Sequence, residues 1–262
     1  MEEKDSKTLK SLYLKGQNSK TAQIFQASST NDALEQCLRG CHPDCDGMIR
    51  YTVPEFGDKV FISECPVYKK KQQQKMREEK AQKKLGVLAK HSFKNFDKSR
   101  NPKAYELAKK YVERRAWEQG GWLILHGSYG TGKTHLLSAI IYEAILAGAL
   151  AEFANITKIS TKNFEDAKTE LRWLTSYDLV GLDDFGIEAS QNWLIPHLFN
   201  LFDELNENGK GLVMTTNLSM KELQDVLGER ISDRIVQRAV AVGLTGTSMR
   251  KNLRADTTSW SK

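Results

Sequence analysis

The sequence predicts an α/β protein: a parallel sheet with helices on both faces, preceded by a small cysteine-rich domain. Three observations predict it. From Ser92 onward, short apolar runs alternate with segments of helical periodicity, the pattern of a parallel sheet. One of those runs, Gly121-Trp122-Leu123-Ile124-Leu125-His126, leads through a glycine-rich loop directly into a helix. All four cysteines, Cys37, Cys41, Cys45 and Cys65, fall in the first quarter of the chain, ahead of a sharply basic stretch.

Length and composition bound what this fold can be. A chain of 262 residues holds one large or two small domains. Its hydrophobic share of 40% and charged share of 27% are those of a chain that can build a core and keep it in water. No stretch approaches the ~20 apolar residues of a membrane span. The start, Met1-Glu2-Glu3-Lys4-Asp5, is polar and is followed by no apolar segment of a secretory signal, so a cytoplasmic protein without a membrane role is expected. The net charge of +6 favours a polyanionic partner such as nucleic acid.

The N-terminal part reads as follows. Residues 1–30 are polar with scattered apolar positions, and Ser28-Ser29-Thr30 predicts the cap of a helix carrying Ala33, Leu34 and Cys37. Two short strands, Met48–Val53 and Lys59–Ile62, flank the turn Pro54-Glu55-Phe56-Gly57-Asp58. Cys37, Cys41 and Cys45 therefore face Cys65 across a hairpin, the way a small zinc ribbon is built. Tetrahedral Zn²⁺ suits four thiolates, and clustered cysteines in a reducing compartment favour metal over disulfides. The two C-x3-C spacings are wider than the tight C-x2-C pair, so His42 is an alternative to one cysteine. Lys69 to Lys90 is basic and poor in apolar residues, the composition of an exposed linker. The expected division is thus a zinc-binding domain over 1–68, a linker over 69–90 and a nucleotide-binding domain over 91–262.

In the last of these, Asn101-Pro102 precedes a helix from Lys103 to about Trp117, with Ala104, Leu107, Ala108, Tyr111 and Val112 on one face. Strands are expected at Gly121–His126, Leu150–Ile156, Tyr177–Leu182, Leu212–Asn217 and Ala239–Leu244. Helices are expected after the glycine-rich loop and over Lys162–Leu174, Trp193–Asn206, Ser219–Leu227 and Glu229–Arg238.

The chemistry sits at the strand ends. Gly127-Ser128-Tyr129-Gly130-Thr131-Gly132-Lys133-Thr134 is G-x-x-x-x-G-K-[ST], the phosphate-binding loop. Its glycines let main-chain N–H groups turn inward on an anion at a helix N-terminus. Lys133 supplies a point charge to the terminal phosphates of ATP, and the Thr134 hydroxyl is a Mg²⁺ ligand. The strand Asp178-Leu179-Val180-Gly181-Leu182 ends in Asp183-Asp184 and is expected beside the phosphate-loop strand. Asp183 is placed to hold Mg²⁺ through water, and Asp184 to orient and polarise the attacking water. Asn217, at the next strand end, is a candidate to position that water, with Thr215 and Thr216 behind it. Arg230 and Arg234 share a helix face at i, i+4, and Arg250 follows Thr247-Ser248-Met249; an arginine can neutralise the charge of the transferred phosphoryl group.

Together these residues resemble the AAA+ ATPases of the bacterial and phage replicative helicase loaders, the DnaC/DnaI type. The resemblance covers roughly residues 92 to 250 and is carried by Phe93-Lys94-Asn95-Phe96-Asp97, Asn101-Pro102-Lys103-Ala104-Tyr105, the Gly127–Thr134 loop with His135-Leu136, Leu182-Asp183-Asp184-Phe185-Gly186, Thr216-Asn217-Leu218-Ser219, Leu227–Arg234 and Gly246–Arg250. It implies an ATPase that self-assembles, up to a hexamer, on a DnaB-type helicase and delivers that helicase onto single-stranded DNA. It implies an N-terminal domain that grips the helicase and, in the DnaI type, binds zinc. It adds Phe93, Phe96 and His135 to the nucleotide site and implies Asn217 as sensor 1, Arg234 as the trans arginine finger and Arg250 as sensor 2. The stretch from Ile156 to Asp178 is short for that family; Lys158, Lys162 and Arg172 are the candidates there for DNA contact. The IstB-type transposition helpers share the ATPase core and are the alternative. A zinc adaptor with a vestigial ATPase is a third reading, opposed by the full set Lys133, Thr134, Asp183, Asn217 and Arg234.

Overall fold

A computed structural model describes residues 24–40, 45–186 and 193–246. The chain divides into two compact units, Met1–Met76 and Arg77–Lys262. Among the described residues no helix is long and apolar enough to cross a membrane.

The first unit is built on a three-stranded sheet, β1 (Ile24–Gln26), β2 (Met48–Thr52) and β3 (Val60–Glu64), with helix α1 (Thr30–Gly40) against it. The hairpin β2–β3 is antiparallel and β1 runs parallel to β2. β1 has only three residues, too few for a period to show in the sequence. The Ser29 hydroxyl accepts from the Asp32 N–H at the start of α1, as expected of a cap. Ala33 and Cys37 from α1, Ile49 and Tyr51 from β2, and Cys65 form the buried cluster of this small unit. On the other side of β2, Arg50 is buried and forks onto Asp46 at 3.2 and 2.7 Å, a bond that holds the Asp46 carboxyl below its ordinary range.

Residues 66–85 form helix α2 (Pro66–Leu85), within which the first unit ends and the second begins. The segment expected as an exposed linker thus buries Ala81 and Leu85 in its last turns. There Lys84 donates to the Ala151 carbonyl at 2.9 Å and pairs with Glu152, its ammonium 4.2 Å above the Tyr177 ring.

The second unit is a five-stranded parallel sheet in the order β5 (Ala151–Asn155), β6 (Leu179–Phe185), β7 (Gly211–Thr216), β4 (Trp122–Gly127), β8 (Ala239–Leu244). Helices α3 (Pro102–Glu113) and α4 (Lys133–Ala147) cover one face. Helices α5 (Ile156–Ser160), α6 (Phe164–Leu174), α7 (Ile195–Glu207) and α8 (Met220–Arg238) cover the other. β4 shows why the sheet is a sandwich filling: Trp122 and Ile124 pack into one core, Leu123 and Leu125 into the opposite one. Every residue of β7 is buried. The segment Met220–Arg238 is two helices, as expected after Ser219, that meet at a kink at Gly228, whose φ of 74° and ψ of 166° no helix contains.

One expectation is corrected. The strand of Asp183 and Asp184 does not lie beside the phosphate-loop strand: β7 lies between β6 and β4 and pairs with both. The wholly buried β7 takes the centre of the sheet, and Thr215 near its end donates to Asp183 of the neighbouring strand.

Candidate functional site

The site forms outside the carboxyl ends of β4, β6 and β7, where a parallel sheet of this kind places its ligand. β4 ends at Gly127, whose φ of 138° suits only glycine; a Cβ there would sit 2.1 Å from the Leu244 carbonyl of β8. Gly132, at φ 101°, starts α4, and a Cβ on it would meet the Phe96 ring at 2.8 Å. The loop is thus held between β8 on one side and Phe96 on the other, and Thr131 pins it internally by donating to the Ser128 carbonyl at 2.9 Å.

The charged groups converge across it. The Lys133 ammonium, 6% exposed, donates to the Gly127 and Ser128 carbonyls at 2.7 and 2.8 Å and to Asn217 Oδ1 at 2.7 Å. The Thr134 hydroxyl donates to Asp183 Oδ1 at 2.9 Å, and Thr215 on β7 donates to the same oxygen at 2.7 Å. Asp183 is 3% exposed, and burial, aided by the neighbouring Asp184 charge, raises its carboxyl above the ordinary range against those hydrogen bonds. Asp184 sits at φ 54°, a left-handed conformation that glycine adopts freely and aspartate only occasionally. It belongs to a break in the β6–β7 register between Leu182 and Phe185, held by its N–H donating to Thr215 Oγ1 at 3.0 Å. Such an irregularity at a strand end re-aims a side chain; here Asn155 Nδ2 donates to Asp184 Oδ2 at 3.2 Å.

A cavity of about 200 Å³ lies over these groups, lined by Tyr129, Gly130, Gly132, Lys133, Thr134 and His135 of the loop, by Asp184 and Asn217, and by His91. A hollow of about 440 Å³ near Arg115, Asp178 and Lys210 is larger, but there Arg115 pairs with Glu118 and Lys210 with Asp178. Chemistry rather than volume singles out the first. A buried lysine, glycine N–H groups and a threonine–aspartate pair around one cavity are what a nucleoside triphosphate and its metal require.

A family model described as "IstB-like ATP binding protein" matches residues 60–257. The chain belongs to this IstB-like ATP-binding family. The replicative helicase loader DnaC of Escherichia coli (strain K12) is 29% identical over 139 residues, covering 50% of this chain and 56% of that protein. The chain thus spans about half the length of that curated relative. Among solved structures, one described as the DnaI matches with a TM-score of 0.54 and 24% identity over 63% of this chain and 92% of that one. One described as the DnaC helicase loader matches at 0.55 and 20% over 61% and 99%. Those two likenesses show the fold: an α/β P-loop ATPase with a parallel sheet flanked by helices.

In this IstB-like protein the residues expected at the nucleotide site fall into two groups. Lys133, Thr134, Asp183, Asp184 and Asn217 are brought together, with Tyr129, Gly130, Gly132 and His135 on the cavity wall. Gly127, Ser128 and Thr131 form the loop's own frame. Phe93 and Phe96 are buried behind that wall, each packed on Tyr105, with Phe96 edge-on to His135 at 5.3 Å. They support the loop from behind. Arg230 and Arg234 lie on α8 beyond the Gly228 bend, with side chains outside the described set, and Arg250 lies outside the described residues. Of the candidates for DNA contact, Lys158 lies on α5 and Arg172 on α6; Lys162 pairs with Glu170.

Several functional neighbours were not foreseen. Asn155 and His91 carry no motif; His91 stacks on His135 at 4.7 Å, and burial lowers both imidazoles below their ordinary range. Thr215, a weaker candidate than Asn217 for positioning water, donates to Asp183 at 2.7 Å. In the first unit, Cys37 Sγ lies 3.6 Å from Cys65 Sγ, the Gly47 N–H donates to Cys45 Sγ and the Tyr68 N–H to Cys65 Sγ, both at 3.4 Å. Among the described residues no group of three or more His, Cys, Asp or Glu converges as for a metal, and Cys41 and His42 lie outside them.

Proposed function

We propose that this chain is an ATP-hydrolysing loader that binds a DnaB-type hexameric helicase and delivers it onto single-stranded DNA. The observation that carries the nucleotide half is the convergence of Lys133, Thr134, Asp184 and Asn217 from three strand ends on one cavity, with Asp183 bonded behind Thr134. The helicase half is supported by the likeness to DnaC and by the sequence motifs shared with loaders. ATP binds with its β- and γ-phosphates on the loop N–H groups and Lys133. Thr134 and Asp183 would hold Mg²⁺, which supplies charge neutralisation between the phosphates when bound. Asp184, aimed by Asn155, orients the attacking water and accepts its proton; Asn217 holds that water against the γ-phosphate. Lys133 leaves Asn217 for the phosphate as nucleotide enters. Arg234 of a neighbouring copy and Arg250 of the same copy complete the charge neutralisation.

The N-terminal part is proposed to grip the helicase and to hold one Zn²⁺ on Cys37, Cys41, Cys45 and Cys65. Two thiolates on a tetrahedral zinc at ~2.3 Å lie about 3.8 Å apart. The Cys37–Cys65 separation of 3.6 Å fits that, and N–H groups aimed at Cys45 and Cys65 stabilise thiolate sulfur. Purified protein should then carry one zinc per chain and lose far-UV signal under chelation. A metal-free protein of unchanged fold would remove the zinc from the account.

The family description supports a second reading, a transposition helper of the IstB type. Co-purification distinguishes the two: a loader brings down a hexameric helicase, identified by mass, and a transposition helper brings down a transposase.

A further inference from the structure

Asn101 stands at the N-cap of α3, where an asparagine ordinarily spends its side-chain oxygen on the N–H groups of the first helical turn. Here it makes no such bond. Instead its Nδ2 donates to the Thr131 carbonyl of the phosphate loop at 3.3 Å, and its Oδ1 accepts the Thr245 N–H at 2.9 Å. The residue is 7% exposed, and its bond to Thr131 is buried; the two partners are main chain 30 and 144 residues distant. Pro102 follows at the first helical position and fixes the turn that presents Asn101 inward.

We infer that Asn101 is a positioning residue for the phosphate site, and that it ties the loop to the chain leaving β8. The inference rests on the nucleotide reading above. A trans peptide is planar, with its C=O and N–H pointing opposite ways. Holding the Thr131 carbonyl toward Asn101 therefore turns the Gly132 N–H away from it, on the residue that lines the cavity beside Lys133. That N–H is one of the donors a diphosphate needs. Gly132 itself, at φ 101°, has the conformational freedom of glycine and does not hold this orientation unaided. The other half of the amide grips Thr245, one residue beyond Leu244, whose carbonyl already bears on Gly127. The loop is thus referred to β8 at both of its ends, directly at Gly127 and through Asn101 at Thr131. Occupancy of the phosphate site is felt at Thr245.

The test is titration of the full chain with a fluorescent ADP. Asn101→Asp keeps the shape and the acceptor for Thr245 but sets a carboxylate oxygen against the Thr131 carbonyl, where a donor is needed. It should weaken ADP binding about tenfold or more, the worth of one hydrogen bond to a charged group, while adenosine binding is unchanged. Equal ADP affinity in Asn101→Asp and wild type overturns the inference. A loss shared by ADP and adenosine also overturns it, since that marks a general collapse of the cavity. Hydrogen exchange on the wild-type chain needs no variant: the Thr245 amide should exchange more slowly with ADP bound, and an unchanged rate denies the coupling. If wild-type protein binds no ADP at all, it is the nucleotide reading that has failed.

Discussion

At the scale of single residues the site opposes stability to function, and Asp183 shows it most clearly. Its folded carboxyl titrates above the unfolded value because burial disfavours the anion. The sign follows: between those two values the folded state holds more protons than the unfolded one, so stability falls as pH rises through that window and stays lower at neutral pH. Asp183→Asn keeps the oxygen that accepts from both Thr134 and Thr215 and removes the charge. The nucleotide-free variant should melt above wild type at pH 7, with the difference closing as pH falls through that window to the unfolded value, while ATP turnover is lost. Thermal melts against pH check this, and a variant less stable than wild type at pH 7 would show that the carboxylate is structurally required. Lys133→Ala should weaken ATP binding at least a hundredfold, measured by titration, because the charge it gives the phosphates has no substitute within the loop.

The motif residues were legible at this scale because phosphate chemistry demands fixed residue types at fixed spacing. Asn101 and Asn155 were not. Each acts through a main-chain or carboxylate partner 30 or 29 residues away; Asn155 caps α5 as well, and nothing local tells that an asparagine at a cap also reaches a distant partner. The bond from Thr215 to Asp183 was not readable, because it depends on which strand stands between β4 and β6.

At the scale of elements, close approach decides the architecture. Gly211 opens β7 directly against the turn at Trp117: a Cβ there would lie 2.4 Å from the Trp117 Cβ and 2.7 Å from its Cα. The backbone atom cannot swing aside as a side-chain tip can. Gly211→Ala should therefore cost about 1–3 kcal/mol, seen as a lower denaturation midpoint, with nucleotide affinity retained because the other end of β7 carries the site. Unchanged stability would mean that the 116–119 turn moves freely. Strand positions were readable from their apolar runs, and the helices from their periodicity. Strand order was not, since a parallel strand buried on both faces reads the same wherever it sits. The break at Gly228 was readable too: a glycine between two periodic segments predicts the kink at which the two helices meet.

At the scale of the whole molecule, the proposed mechanism needs more than one copy. Lys133, Thr134 and Asp183 act within one subunit, and Arg234 is assigned to its neighbour's γ-phosphate. Arginine fingers are worth about 10³–10⁵ in rate, so an isolated subunit should be nearly inert. Arg234→Ala should bind ATP normally and fail to gain turnover with protein concentration, DNA or helicase. Mixed with Lys133→Ala it should recover activity, because the lysine variant still offers an intact arginine to an intact site. No recovery, with Arg234→Ala alone hydrolysing ATP like wild type in the assembled complex, would make Arg234 a residue of the helix face and Arg230 the next candidate.

In the proposed function, ATP held at this site drives a helicase onto DNA. A closed single-stranded circle offers no end for a ring to thread, so a DnaB-type hexamer enters it only if something opens or assembles the ring around it. The decisive measurement is co-sedimentation of the co-purifying helicase with such circles. Transfer should require both this protein and ATP and be lost with Lys133→Ala. Equal transfer without the protein, or with Lys133→Ala in its place, would contradict it.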